Sequence, residues 1–227
     1  MATGTAVDHP AFIWDLVPSS EARTLLFSGA ARERLSAAEI EIFERLATEK
    51  RRLDWLCGRL AAKRALAALR PSLSPREIEI LSSPDGKPYF RLAGGEPPEL
   101  SISHCAKGGI CAVSRAKTPV GVDFEPVAAH GPAVVAMFMH AAEALPLDEE
   151  AALWQTKLWT AKEAVLKLLG TGLACDPRDV RWFERTQILE LEGLAKRRWL
   201  ELGGPKIRIE HKNFEDCMIA FAHCGGN

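Results

Sequence analysis

Two acidic residues stand two positions apart in the run VGVDFEPV. In a strand, alternate residues share a face, so Asp123 and Glu125 point one way while Val122 and Phe124 point the other. Carboxylates spaced roughly 7 Å apart on one strand face can chelate a hard cation such as Mg²⁺. They can equally be the water-facing side of a half-buried strand. A second cluster lies in WTAKEAVLKLLGTGL. On a helix, Trp159, Glu163 and Lys167 follow at i, i+4 and i+8 and line one face. A carboxylate flanked by Lys162 and Lys167 could complete a metal site and still meet a phosphate; it could also be a solvated Glu-to-Lys pair worth a few tenths of a kcal/mol.

The run RRLDWLCGRLAAKRALAALR carries a third feature. At 100° per residue, Arg52, Arg59, Lys63 and Arg70 fall within about 20° of one line. Leu56 and Leu60 flank that line on one side, Trp55 and Leu66 on the other. The basic stripe therefore lies in the middle of the apolar face, where unpaired charge is costly. Either acidic side chains from elsewhere or an anionic ligand must answer it. Fourth, SPDGKPYF places Lys87 at the tip of a turn marked by Asp85, Gly86 and Pro88. Ser101, Ser103 and His104 close the alternating strand LSISH. A Ser–His hydrolase fits poorly, since Ser103 and His104 are adjacent and no G-x-S-x-G elbow occurs.

The elements that must hold these residues alternate along the chain. Residues 1 to 20 read as a strand or extended arm. Ser20 to Arg70 reads as helical, with Ser36 and Glu39 at capping-box spacing and Pro71 as the stop. Residues 76 to 126 break into short alternating runs, EIEIL, PYFRL, LSISH, GICAVS and VGVDFE, that read as strands, several of them antiparallel. Helical pattern returns over Ala133 to Leu145 and Glu149 to Leu169, ended by Gly170 and Gly172. The tail offers strands in VRWFE, ILELEG, KRRWLEL, KIRIEHK and CMIAFAH. A helix-plus-sheet unit occurring twice predicts two similar α+β halves meeting near residue 118.

The whole chain fits that plan. Its 227 residues make one large domain or two small ones. A net charge of -1, from 29 basic and 30 acidic residues, excludes a globally basic nucleic-acid binder. Six cysteines without a C-x-x-C pair argue against a metal cluster or disulfide framework and for reduced thiols. No signal-peptide pattern and no run of 18 apolar residues is visible, so a cytoplasmic globule is the expectation.

Taken in order, GRLAAKRAL, GKPYF, SISH, VGVDFEP and KLWTAKEAVLKLLGTGL resemble the motif set of the 4′-phosphopantetheinyl transferases, of the larger type that activates surfactin synthetase. G-V-D-x-E followed 35 to 40 residues later by W-x-x-K-E-x-x-x-K is the specific part, and NFEDCMIAFAH resembles the family's last strand. The resemblance implies a fold, α+β with two similar halves related by a pseudo-twofold, here residues 1–118 and 119–227, and coenzyme A in the cleft between them. It implies transfer of the phosphopantetheine arm of coenzyme A to a serine of an acyl or peptidyl carrier protein, releasing adenosine 3′,5′-bisphosphate.

By the same resemblance, Asp123, Glu125 and Glu163 are the Mg²⁺ ligands. Arg59 and Lys63 meet nucleotide phosphates, Lys87 and Pro88 form the adenine-side turn, and Ser103 and His104 contact coenzyme A. Lys162 and Lys167 are the lysines of the KEA segment, with Lys167 the better partner for the pyrophosphate. Glu143 in FMHAAEA sits where relatives carry a glutamate near the reacting serine, although Ala-Ala before the acid departs from their pattern. A monomer is expected, because two halves supply what smaller relatives obtain by oligomerising. Two other readings are a non-catalytic module that binds carrier protein or coenzyme A, and a nucleic-acid binder using EKRRLDWLCGR. Three intact metal carboxylates disfavour the first; net charge and the inward stripe disfavour the second.

Overall fold

The structure is a computed structural model and describes residues 6–93, 96–145 and 149–225; the first five residues of the N-terminal arm lie outside these. The chain divides into two compact units, Met1–Thr118 and Pro119–Asn227.

The first unit opens with β1 (Val7–Asp8) and β2 (Phe12–Pro18), followed by helices α1 (Ser19–Phe27), α2 (Ala37–Arg45) and α3 (Glu49–Leu69). Two short strands, β3 (Glu79–Ser82) and β4 (Pro88–Arg91), form a hairpin, and β5 (Leu100–Cys105) and β6 (Gly108–Ser114) complete an antiparallel sheet of order β1-β2-β6-β5. Helix α3 lies across β2, β5 and β6. Leu56, Leu60 and Leu66 of the helix are buried with Val17, Cys111 and Val113 of the sheet. Each such side chain contributes roughly 1.5–3 kcal/mol through burial.

The expected capping box forms: the Ser36 hydroxyl accepts from the Glu39 amide and Glu39 accepts from the Ser36 amide. The helical stretch does not run on from there as one piece. It breaks at Leu46, which is extended, and restarts at Thr48, whose hydroxyl caps the Arg51 amide. A second N-cap signal inside a periodic run was enough to split it.

The second unit contains β7 (Val120–Pro126), α4 (Pro132–Phe138), α5 (Ala151–Leu169), the hairpin β8 (Val180–Phe183) and β9 (Ile188–Leu191), α6 (Gly193–Glu201), β10 (Ile207–Phe214) and β11 (Cys217–Cys224). Its main sheet is antiparallel with order β10-β11-β7, and α5 packs on β7 and β11. Gly170, at φ 71°, ends α5 by donating to Leu166 and Lys167 carbonyls, as the glycine pair predicts.

Two elements differ from the sequence reading. KRRWLEL is part of a helix, α6, rather than a strand, because Leu194, Ala195, Trp199 and Leu202 recur at helical spacing and pack on the unit's core. Helix α4 ends at Phe138 rather than Leu145. Beyond it the Glu143 carboxylate accepts from the His140 amide, which bends the chain into a turn. All six cysteines are free thiols. Among the described residues no helix is long and apolar enough to cross a membrane.

Candidate active site

The acidic site belongs to the second unit. Strand β7 is buried along most of its length, and Val122 and Phe124 are fully covered on one face. Its other face meets α5 closely. A Cβ at Gly121 would run into the carbonyl oxygen of Ala164, so only glycine lets helix and strand approach this far. That approach sets Glu163 and Lys167 of α5 against Asp123 and Glu125 of β7.

Asp123 is 2 % exposed, and its Oδ1 accepts from Lys167 Nζ at 2.7 Å. Lys167 also donates to the Val122 carbonyl at 3.1 Å. Glu163 is 8 % exposed, and its buried Oε1 has no hydrogen-bond partner among the described residues. Burial, and then the charge of Asp123, pushes Glu163 up to about 7 against the pull of Lys167. Glu125 is likewise pushed up to about 7, by burial first and then Asp123, while Lys167 and a hydrogen bond from Trp159 oppose the shift. Lys167 thus meets carboxyl groups from both elements.

Hard oxygen donors that are buried or half-buried and mutually repelling fit a cation with oxygen ligands, of which Mg²⁺ is one. Among the described residues the three carboxylates do not all bring an oxygen within 4.8 Å of one another. Asp123, Glu125 and Glu163 are the residues that would hold such an ion.

Lys162 and Glu143 belong elsewhere. Lys162 is wholly buried on α5 and donates to Glu143 Oε2 and the Phe138 carbonyl, each at 2.7 Å, and to the Pro177 carbonyl at 3.3 Å. Glu143 Oε1 accepts from the Trp182 amide at 2.9 Å. Every donor of Lys162 and both oxygens of Glu143 are thus used in tying the α4 turn, α5 and β8 together. The structure does not bring either residue to the carboxylates, and burial holds the Lys162 ammonium below its usual range.

The first unit has a cleft of about 570 Å³ lined by Lys50, Arg51, Trp55, Arg59, Pro88 and His104, among others. The basic stripe of α3 divides here. Lys63 turns into the core, 2.6 Å from Glu39, and donates to the Pro75 and Ile78 carbonyls. Arg52 donates to the Leu46 carbonyl and Arg70 to that of Glu96. Arg59, 8 % exposed, alone among the four lines the cleft. Strand alternation separates the last pair: His104 lies on the cleft side of β5 with Ile102, whereas Ser103 is buried on the other face. Lys87 is exposed and paired with Glu99 at 2.8 Å. Sequence reasoning gives Lys50 and Arg51 a part only in the nucleic-acid alternative, and Trp159 a place on the face of Glu163 and Lys167.

Helix α5, laid on the antiparallel sheet, sets one glutamate and one lysine against two carboxylates of β7, with Asp123 and Glu163 buried and Glu125 half-buried. Residues 119–215 match the 4′-phosphopantetheinyl transferase superfamily, a span that contains the whole acidic site. The match takes in most of the second unit and supports an enzyme of the phosphopantetheinyl transferase class. Among solved structures, a holo-(acyl-carrier-protein) synthase from Bacillus anthracis, described in complex with CoA (3′,5′-ADP), is 23 % identical, with 45 % of this chain and 92 % of that one covered at a TM-score of 0.42. The holo-ACP-synthase of Plasmodium yoelii is 22 % identical, with 48 % and 95 % covered at 0.33. No curated protein matches the chain.

Proposed function

We propose that this protein transfers the 4′-phosphopantetheine arm of coenzyme A to a serine hydroxyl of an acyl or peptidyl carrier protein, as a Mg²⁺-dependent, two-halved monomer of the surfactin-synthetase-activating type. The observation that carries the reading is that the superfamily match encloses the three carboxyl groups that α5 and β7 set against one another. In this reading the first unit takes the nucleotide of coenzyme A through Arg59, Pro88 and His104, and the second supplies the metal ligands and the lysine.

Asp123, Glu125 and Glu163 would hold Mg²⁺, which when bound neutralises charge on the pyrophosphate oxygens. Lys167, on the same face of α5 as Glu163, would compensate the charge that builds on the leaving phosphate. In the reaction the serine Oγ–phosphorus bond forms and the pyrophosphate phosphorus–oxygen bond breaks, leaving adenosine 3′,5′-bisphosphate. The serine proton goes to Glu163 rather than Glu143, because Glu143 has both oxygens committed to buried donors while Glu163 keeps one without a partner.

The test is chromatography of the nucleotide products after mixing the protein with Mg²⁺, coenzyme A and an apo carrier protein. Adenosine 3′,5′-bisphosphate must accumulate only when all three are present. Its absence across fatty-acid, polyketide and peptide carriers would end the reading.

A further inference from the structure

Arg59 is a buried cation whose nearest answering charge, Glu39, sits on Lys63 instead. Its neighbour one turn on, Lys63, has Glu39. Arg59 has no carboxylate within ion-pair distance among the described residues; its Nη2 reaches only the Ser82 hydroxyl at 3.5 Å, and its Nε is buried with no hydrogen-bond partner. Burial pushes the guanidinium below its usual range, with Glu39 opposing. What does hold it is aromatic. The guanidinium carbon lies 4.8 Å from the centre of the Trp55 ring, one helical turn earlier on α3. Trp55 is itself braced by Phe43, with ring centroids 5.8 Å apart and planes tilted by 42°. Trp55 and Arg59 both line the 570 Å³ cleft; Arg51 adds a basic side chain to the same wall, and Lys50 one that is paired with Asp54 at 2.6 Å.

We infer that Trp55 is a positioning residue for nucleotide-phosphate recognition in this cleft, acting through Arg59. A guanidinium stacked on an aromatic face keeps its planar fork in one orientation, and its donors stay directed to the cleft instead of turning to solvent or to a nearby carbonyl. The phosphate then meets a donor set already ordered, and little side-chain freedom remains to be lost on binding. Phe43 fixes the plane of the indole, so the order of the site descends from the core of the first unit. The inference rests on the coenzyme A reading above and adds to it a residue that touches Arg59 rather than the reacting atoms.

The experiment is calorimetric titration of coenzyme A and of dephospho-coenzyme A into the full-length protein and its Trp55→Met, Trp55→Phe, Arg59→Ala and Trp55→Met/Arg59→Ala variants, with thermal unfolding as a check on the fold. Trp55→Met keeps apolar bulk and helix propensity but removes the ring face. It should weaken coenzyme A by about threefold to thirtyfold, the range of a cation–π contact that is partly or fully desolvated. Trp55→Phe, which keeps a face, should recover most of that loss. With Arg59 already replaced, Trp55→Met should cost nothing further, and kcat at saturating coenzyme A should not change in the single Trp55 variants. Equal losses in Trp55→Met and Trp55→Phe, or losses that add to that of Arg59→Ala, overturn the inference and leave the functional reading standing. Absence of coenzyme A binding by the unaltered protein overturns both. Should Trp55→Met unfold, the Phe variant decides alone: a loss in it as large as that of Arg59→Ala refutes the role assigned to the ring face.

Discussion

Replacing Glu163 by Gln separates the electrostatic cost of this carboxylate from its use. The carboxyl is 8 % exposed and sits near 7, against an ordinary value of 4.5. A folded-state value above the unfolded one means that the native protein holds the proton more tightly. The penalty of ionising in place is therefore absent below pH 4.5, grows as pH rises from 4.5 to 7, and is complete above 7. At 1.36 kcal/mol per pH unit, a shift of this size amounts to about 3 kcal/mol at pH 8 and under about 1 kcal/mol at pH 5. Gln has nearly the same shape and no charge, so Glu163→Gln should make the metal-free protein more stable than the unaltered chain at pH 8 and nearly equal to it at pH 5. The assay is thermal unfolding across that pH range, with chelator and then with millimolar Mg²⁺. In chelator the variant should unfold several degrees higher at pH 8. With Mg²⁺ the unaltered protein should gain stability and the variant little, because a cation that binds only the folded site stabilises it by mass action. A variant less stable than the unaltered protein in chelator at pH 8 would refute the picture of Glu163 as a carboxylate held against its own desolvation.

Three further outcomes follow from named contacts. Asp123→Ala should leave the second unit folded, because Val122 and Phe124 anchor β7 from its other face, and should lower the transfer rate by at least about 100-fold; steady-state rates with apo carrier protein check it. Lys162→Met should destabilise the protein by about 3–5 kcal/mol by leaving Glu143 buried without its cation, and adding Glu143→Leu should restore much of that, as read by denaturant unfolding. Gly121→Ala should force α5 away from β7 and lower both stability, by about 1–3 kcal/mol, and Mg²⁺ affinity, seen in unfolding and in metal titration.

Much of the site was legible because it is local. G-V-D-x-E places two carboxylates on one strand face, and W-x-x-K-E-x-x-x-K places an aromatic, an acid and a base on one helix face. Each pattern needs only the period of its element. Even the glycine has a readable reason once the helix is known to cross there. What could not be read was which charged residues answer one another over distance. Arg59 and Lys63 are one turn apart on the same stripe, yet Glu39, on another helix, takes Lys63 into the core and leaves Arg59 to the cleft. Lys162 and Glu163 are adjacent, and the helix sends them to different faces, one to a buried knot with Glu143 and the other to the carboxylates. For α6, basic residues interrupt an apolar pattern that is weak at either period, and packing against the unit's core decides for helix.

The central claim is a group transfer, and the intact mass of an apo carrier protein tests it most directly. After incubation with this protein, Mg²⁺ and coenzyme A, the carrier should gain the mass of one phosphopantetheine arm, and only when its acceptor serine is present. It should stay unchanged when Asp123→Ala replaces the unaltered protein or when chelator replaces Mg²⁺. A carrier that keeps its apo mass in the complete mixture, or gains the arm as fast with the Asp123 variant, would contradict the account.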